Sequence, residues 1–135
     1  MKNIRKYFRE EKGATAVEFG MVSLLFLTFL FGVVEMGRVF WTWNTLQYAI
    51  EDTARYAIVH VTATNSDLVA YAASSMAGIS ADTSRLTVTT ANTTISGIQF
   101  IEVSGTYAYR SMVPFLPAAI NSINLTAQAR IPYSL

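Results

Sequence analysis

From Ala14 to Val34 the chain is apolar at nearly every position, and Glu18 is the only charged residue between Lys12 and Glu35. These 21 residues, at about 1.5 Å of rise each, match the roughly 30 Å hydrocarbon core of a bilayer. The pattern predicts a membrane-spanning helix over about 14–38. Beyond it, Trp43, Leu46, Ile50, Ala54, Ala57, Ile58 and Val61 recur at spacings of three and four, while Asn44, Gln47, Glu51, Asp52 and Arg55 fall on other faces. A single helix is therefore expected from Ala14 to about Val61, its outer half amphipathic and able to pack on a small domain.

The period then changes. Thr62 to Asp67 is a polar break, after which Ser66 is the expected cap of a short helix over about 67–77, with Leu68, Val69, Ala72 and Met76 on its apolar side and Gly78 ending it. Leu86 and Val88 alternate with threonines, predicting a strand over about 85–90. Ile101, Val103, Tyr107 and Tyr109 alternate with polar or small residues across Gly105, predicting a second over about 99–110. Leu125, Ala127, Ala129 and Ile131 do the same, predicting a third over about 124–131. Pro114 and Pro117 exclude a central strand between the last two, so a loop or a short helix through Ala118 to Ile120 is expected there. The fold class is thus α+β: a long N-terminal helix on an antiparallel sheet of about three strands.

Charge gives the helix a direction. Residues 1–13 carry five basic side chains, Lys2, Arg5, Lys6, Arg9 and Lys12, against Glu10 and Glu11, a net +3 in a chain whose total is +1. Basic residues on the N-terminal flank place that end in the cytoplasm and residues 39–135 outside the membrane. Phe40, Trp41, Trp43 and Tyr48 just beyond the span fit an interfacial aromatic belt or ordinary helix packing. The remaining arginines, Arg38, Arg55, Arg85, Arg110 and Arg130, are scattered, so no nucleic-acid footprint is present. With no cysteine in its 135 residues, the chain has neither disulfides nor thiolate metal ligands, and any exported part is held by packing alone.

A cleavable secretory signal would also begin with basic residues and an apolar core, but its small-residue cleavage site follows the core. Here Val34 is followed by Glu35-Met36-Gly37-Arg38 and then bulky aromatics. The small residues Gly13, Ala14 and Ala16 lie before the core instead, at its junction with the basic leader.

That arrangement resembles the class III signal of type IV prepilins: a short basic leader ending in glycine, here residues 1–13, and a glutamate five residues into the product. By the resemblance, the Gly13–Ala14 bond is the one cut by a prepilin peptidase. Glu18-Phe19 is similar to the Glu-Tyr pair of the tight-adherence (Tad, or Flp) branch, with phenylalanine in place of tyrosine. The order of parts behind it, with Tyr107-Ala108-Tyr109, a proline-containing connection and the closing Ala127-Gln128-Ala129-Arg130 strand, resembles TadE-like minor pilins.

The resemblance implies a minor pilin or pseudopilin of a bacterial inner membrane, single-pass, with Glu18 and Phe19 docking it to other subunits. Its implied partners are the peptidase, other Tad pilins, the inner-membrane assembly platform and the lipid bilayer, and its implied roles are pilus assembly, adhesion and biofilm formation. In the family picture the glutamate meets the N-terminal amine of a neighbouring subunit. Residue chemistry is consistent with a special role, because an ionised carboxylate is costly inside a bilayer and usually faces a protein partner or a pathway. Its plainer account is a side chain snorkelling to cytoplasmic headgroups. An uncleaved single-pass anchor or sensor is the alternative for the whole chain.

Catalysis has little to stand on. His60, the only histidine, falls near the helix end without a motif that would recruit it. Glu51 and Asp52 are adjacent on a helix and point apart, and Arg55, four residues after Glu51, is its expected surface partner. Asp67 and Asp82 lack calcium or zinc spacing, and there is no phosphate-binding glycine loop. No enzyme activity, cofactor, metal or small-molecule substrate is expected. The Asn92-Thr93-Thr94 and Asn124-Leu125-Thr126 triplets match glycosylation acceptors but are given no function, being frequent in threonine-rich sequence.

Overall fold

The computed structural model describes residues 4–77, 82–113 and 121–133, with side chains from Gly13 onward. The leader's basic side chains, the expected helix end at Gly78, Pro114, Pro117 and the connection through Ala118 to Ile120 lie outside the described residues. The element order is α1 (Ile4–Val59), α2 (Asn65–Met76), a short 3-10 turn (Thr83–Arg85), β1 (Leu86–Ile95), β2 (Ile98–Arg110) and β3 (Ser122–Tyr133). A long helix packed on a three-stranded antiparallel sheet makes the fold α+β. The chain divides into two compact units, 1–36 and 37–135.

In the first unit every described side chain is exposed except the half-buried Ser23 and Glu35. Among the described residues, α1 is the one helix long and apolar enough to cross a membrane. Thr28 hides its hydroxyl by donating to Leu24 O at 2.8 Å, so a polar residue in the apolar run leaves no donor unpaired.

In the second unit the sheet runs β1-β2-β3, with both neighbouring pairs antiparallel. Register aligns the inner face in rows: Leu86, Tyr107 and Leu125; then Val88, Gly105 and Ala127; then Thr90, Val103 and Ala129; then Asn92, Ile101 and Ile131. The α1 side chains Leu46, Ala49, Ile50 and Ala54 are fully buried in the same core, joined by Ala72 and Met76 of α2. Small residues in the central rows, Gly105, Ala127 and Ala129, are what let a helix lie close to the sheet. A Cβ placed on Gly105 would sit 2.6 Å from Ile50 Cγ1 and closer still to Ile50 Cδ1.

The buried stripe of α1 differs from the expected one at its ends and in its chemistry. Val61 lies past the helix end and is exposed, and Trp43 is half out of the core, its Nε1 donating to Thr126 O at 3.1 Å. In their place the stripe takes in Thr42 and Thr53. Helical threonines can be buried because the hydroxyl finds the carbonyl one turn back: Thr42 Oγ1 donates to Arg38 O at 2.9 Å and Thr53 Oγ1 to Ala49 O at 2.6 Å. A hydropathy stripe cannot include them, because it scores the hydroxyl as if it were still looking for water.

β1 continues to Ile95, well past the expected end near residue 90. Thr90 to Thr94 have no apolar alternation, since the inner-face positions Thr90, Asn92 and Thr94 are polar and largely exposed. Pairing with β2 through the Ser96-Gly97 turn, not burial, extends the strand to Ile95 opposite Ile98. Both turn residues have positive φ, 52° and 80°, as a type I′ hairpin requires.

The cap of α2 is Thr64, not Ser66. Thr64 N donates to Asp67 Oδ2 at 2.8 Å and Asp67 N to Thr64 Oγ1 at 3.4 Å, closing a capping box with aspartate at the third helical position. Hydrogen bonds from the Thr64 hydroxyl and backbone hold the Asp67 carboxyl below its ordinary pKa. Thr64→Ala should destabilise the second unit by about 1 kcal/mol. Thermal unfolding of the detergent-solubilised chain reads this, and an unchanged midpoint would mean that α2 does not depend on its cap.

Candidate functional site

Gly13, Ala14, Glu18 and Phe19 all lie on α1, within about two turns of one another, and all are exposed. A Cβ on Gly13 would meet nothing within 4 Å, so no packing in the chain itself demands glycine there. Glu18 is one turn after Ala14, and helical side chains tilt toward the N-terminus, so its carboxylate leans toward the level of Ala14. The described side chains of the segment present an exposed apolar helical surface with a single acid on it. What such a surface can do chemically is bind: apolar side chains to lipid or another helix, and the acid to a cation.

The second unit shows what the remaining titratable groups do. Tyr56 stacks on His60 with ring centroids 4.0 Å apart and on Tyr71 at 4.2 Å, and Tyr71 Oη donates to Asp52 Oδ2 at 2.8 Å. That bond to a carboxylate raises the Tyr71 hydroxyl above its usual pKa. His60 Nδ1 lies 3.1 Å from Tyr56 O, so one ring nitrogen is engaged with the helix end. The group ties α2 to α1, and sequence alone gave no sign of it because the 19 residues between Asp52 and Tyr71 cross a break in the chain's periodicity. Glu51 accepts from Gln47 Nε2 at 3.0 Å instead of pairing with Arg55.

On the outer face of the sheet, Glu102 Oε2 accepts from Arg130 Nε at 3.0 Å and Nη2 at 2.6 Å, and Glu102 Oε1 accepts from Gln128. Register sets this up, since Glu102 lies directly opposite Arg130. The Arg130 hydrogen bonds hold the Glu102 carboxyl below its ordinary range. Asp82 is lowered likewise, chiefly by the Ser84 hydroxyl and amide. These acids have structural partners across strands or turns, and none faces a cavity lined by other ionisable groups. A cavity of about 240 Å³ lies where α1 stops and the strands continue, lined by Ala57, Ile58, Val61, Asn92, Ile101 and Tyr133. Its lining offers an amide and a phenol but no carboxylate, imidazole or amine. Among the described residues, no three His, Cys, Asp or Glu side chains come together as a metal site.

The exposed apolar segment is therefore the candidate site, and the stretch that resembles known proteins includes it. Residues 13–55 match the family model of TadE-like proteins. Over that stretch the chain is similar to TadE-like proteins. The TadE-like match begins at Gly13, the residue before the expected cleavage point, and takes in Ala14, Glu18 and Phe19. It ends at Arg55 within α1, so it covers the helix and not the strands. No curated protein and no solved structure matches the chain.

Proposed function

We propose that the chain is a minor pilin of a Tad (Flp) type IV pilus. A prepilin peptidase cuts it after Gly13, α1 holds it in the bacterial inner membrane with its leader in the cytoplasm, and Glu18 and Phe19 dock it to other pilins and to the assembly platform. In this reading it is a structural subunit and not an enzyme, and it contributes to pilus assembly, adhesion and biofilm formation. The observation that carries the proposal is the TadE-like match over Gly13–Arg55, on a helix whose apolar first part is left exposed.

The arrangement supports the reading physically. Glycine before the cleaved bond leaves that position without a side chain, which suits a peptidase that must approach the backbone closely. Cutting there would remove the +3 leader and leave a new amine on Ala14, one turn from the only acid of the apolar run Ala14–Val34. The sheet domain, packed on the outer part of α1 and carrying its own core, would be displayed outside the membrane.

Intact mass and N-terminal sequencing of the membrane-extracted protein, from cells with and without the peptidase, test this. A start at Ala14 only where the peptidase is present is expected. A start at Met1 in both strains would overturn maturation and leave an uncleaved anchor or sensor, and a start beyond Val34 would mean an ordinary secretory signal.

A further inference from the structure

The second unit begins at Gly37, three residues after the apolar run ends at Val34. At the end of the unit where the chain enters, Arg38 lies with its guanidinium carbon 5.8 Å from the ring centre of Tyr109. Tyr109 is paired across the sheet with Ile123, and Ser111 N donates to Asn121 O at 3.0 Å, so the connection between β2 and β3 starts and finishes at this same end. Met112, just past β2, is 74% exposed and Ile123 45%. Ile95 and Ile98 at the hairpin end are comparably exposed, at 42% and 53%, so it is nearness to the apolar run of α1, not exposure alone, that sets this end apart. Phe40 and Trp41 on α1 are more than half exposed at the corresponding level of the helix, and Arg110 is exposed at the end of β2.

We propose that this end of the sheet domain, formed by Arg38, Phe40, Trp41, Arg110, Met112 and Ile123, docks on the outer surface of the phospholipid bilayer. The inference rests on the reading that Ala14 to Val34 spans the membrane. Trp41 follows Val34 by seven residues, about 10 Å of helix. The polar interfacial zone adds about 5–8 Å on each side of the hydrocarbon, and helical side chains lean back toward the N-terminus, so Phe40 and Trp41 reach it. Aromatic rings at that depth and arginines beside lipid phosphates are the chemistry of an interfacial belt.

What the structure adds to a belt on one helix is a second contact far away in sequence, Met112 and Ile123. Their apolar side chains are unfavourable in water and suited to the boundary between headgroups and acyl chains. Two contacts on one rigid unit would orient the sheet on the membrane, where a single helix would leave it free to swing.

The chain has no cysteine, so single labels are clean. Met112→Cys and Ile123→Cys, each carrying a fluorophore, would be reconstituted as full chains in phosphatidylcholine/phosphatidylglycerol vesicles, beside Ser96→Cys in the turn at the opposite end of β2 and Leu27→Cys within the span. Labels at 112 and 123 should be quenched severalfold less by aqueous iodide than the label at 96, and should be quenched by lipid carrying a headgroup nitroxide. Equal iodide quenching at 112, 123 and 96, with 27 still protected, would overturn the docking and leave the span intact. Exposure at 27 as well would mean that the span itself had failed, taking the docking with it. Protection at 112 and 123 that appears only at high protein-to-lipid ratio would overturn it in favour of a second copy of the chain.

Discussion

Gly105→Val should be the most damaging single change in the sheet domain. Gly105 is the middle residue of the row Val88, Gly105 and Ala127, in the central strand and on the inner face. Its missing side chain is filled by Ile50 of α1: a Cβ there would lie 2.6 Å from Ile50 Cγ1, closer to Cδ1, and 3.4 Å from Leu46 Cδ1. Ile50 and Leu46 are fully buried, so neither has solvent to move into. A β-branched isoleucine in a helix has essentially one χ1 rotamer, which removes the usual escape of swinging the side chain aside. Overpacking of this kind costs about 1–3 kcal/mol per site, and valine adds two methyls beyond the Cβ already in conflict.

Alanine at 105 should cost less, and the cost should depend on Ile50. Gly105→Ala combined with Ile50→Val, which removes the Cδ1 atom in closest conflict, should be less destabilising than the two single changes added together. Thermal or denaturant unfolding of the four proteins closes the cycle. Strict additivity would show that Gly105 and Ile50 do not share a site, and a fully stable Gly105→Val would show that the helix does not lie on this strand as described.

Gly105 also illustrates how the fold was legible. The alternation of Ile101, Val103, Tyr107 and Tyr109 predicted a strand with one buried face, and counting in steps of two places Gly105 on that face. That glycine is required there was not legible, because close approach is a property of two elements, and the partner, Ile50, lies 55 residues earlier in the chain. Long periodic segments were readable for the same reason that Val61 and the far half of β1 were not. Periodicity reports burial of one face, so it fails where an element ends by running out of chain to cover, as at Val59, or is held by pairing alone, as over Thr90 to Ile95. Caps fail differently. Thr64 and Ser66 are both good cap residues, serine by propensity the better, and it is the reciprocal bond with Asp67 that selects Thr64.

The candidate site, unlike the fold, is read from a local signal alone, and the roles of its residues are proposals. Gly13, Ala14, Glu18 and Phe19 lie within seven residues, and charge patterning sets them apart without any tertiary knowledge. The converse held for Asp52 and His60. Their partners, Tyr71 and Tyr56, give them structural work that no spacing rule reveals.

Glu18→Ala should leave the cut after Gly13 intact and abolish incorporation into the pilus. The two steps separate because they need different things from the residue. Processing needs a peptide bond at the membrane edge, and alanine does not block it. Membrane insertion should if anything improve slightly, since an acidic residue costs about 2.5–3.5 kcal/mol at the centre of a span and less near its edge, where Glu18 lies. A carboxylate that is a burden in the bilayer is expected to be worth more elsewhere. On the proposed reading, cleavage would put the Ala14 amine and the Glu18 carboxylate, opposite charges, one helical turn apart, so that the chain could neutralise its own pair in lipid.

In a filament the same carboxylate would meet the amine of the neighbouring subunit, and alanine would leave that amine buried without its counter-charge. Removing one partner of a buried pair costs about 3–5 kcal/mol. That corresponds to a loss on the order of a hundredfold to a few thousandfold in an assembly equilibrium. Glu18→Gln separates charge from hydrogen bonding: it keeps the shape and an acceptor but not the charge, and should fail nearly as badly as alanine. The measurement is the amount of the processed protein in sheared surface filaments relative to the membrane fraction, for wild type and both variants. Processed Glu18→Ala protein entering filaments at the wild-type ratio would mean that the acid serves only to snorkel toward headgroups, and the docking role would have to move to Phe19 and the apolar face around it.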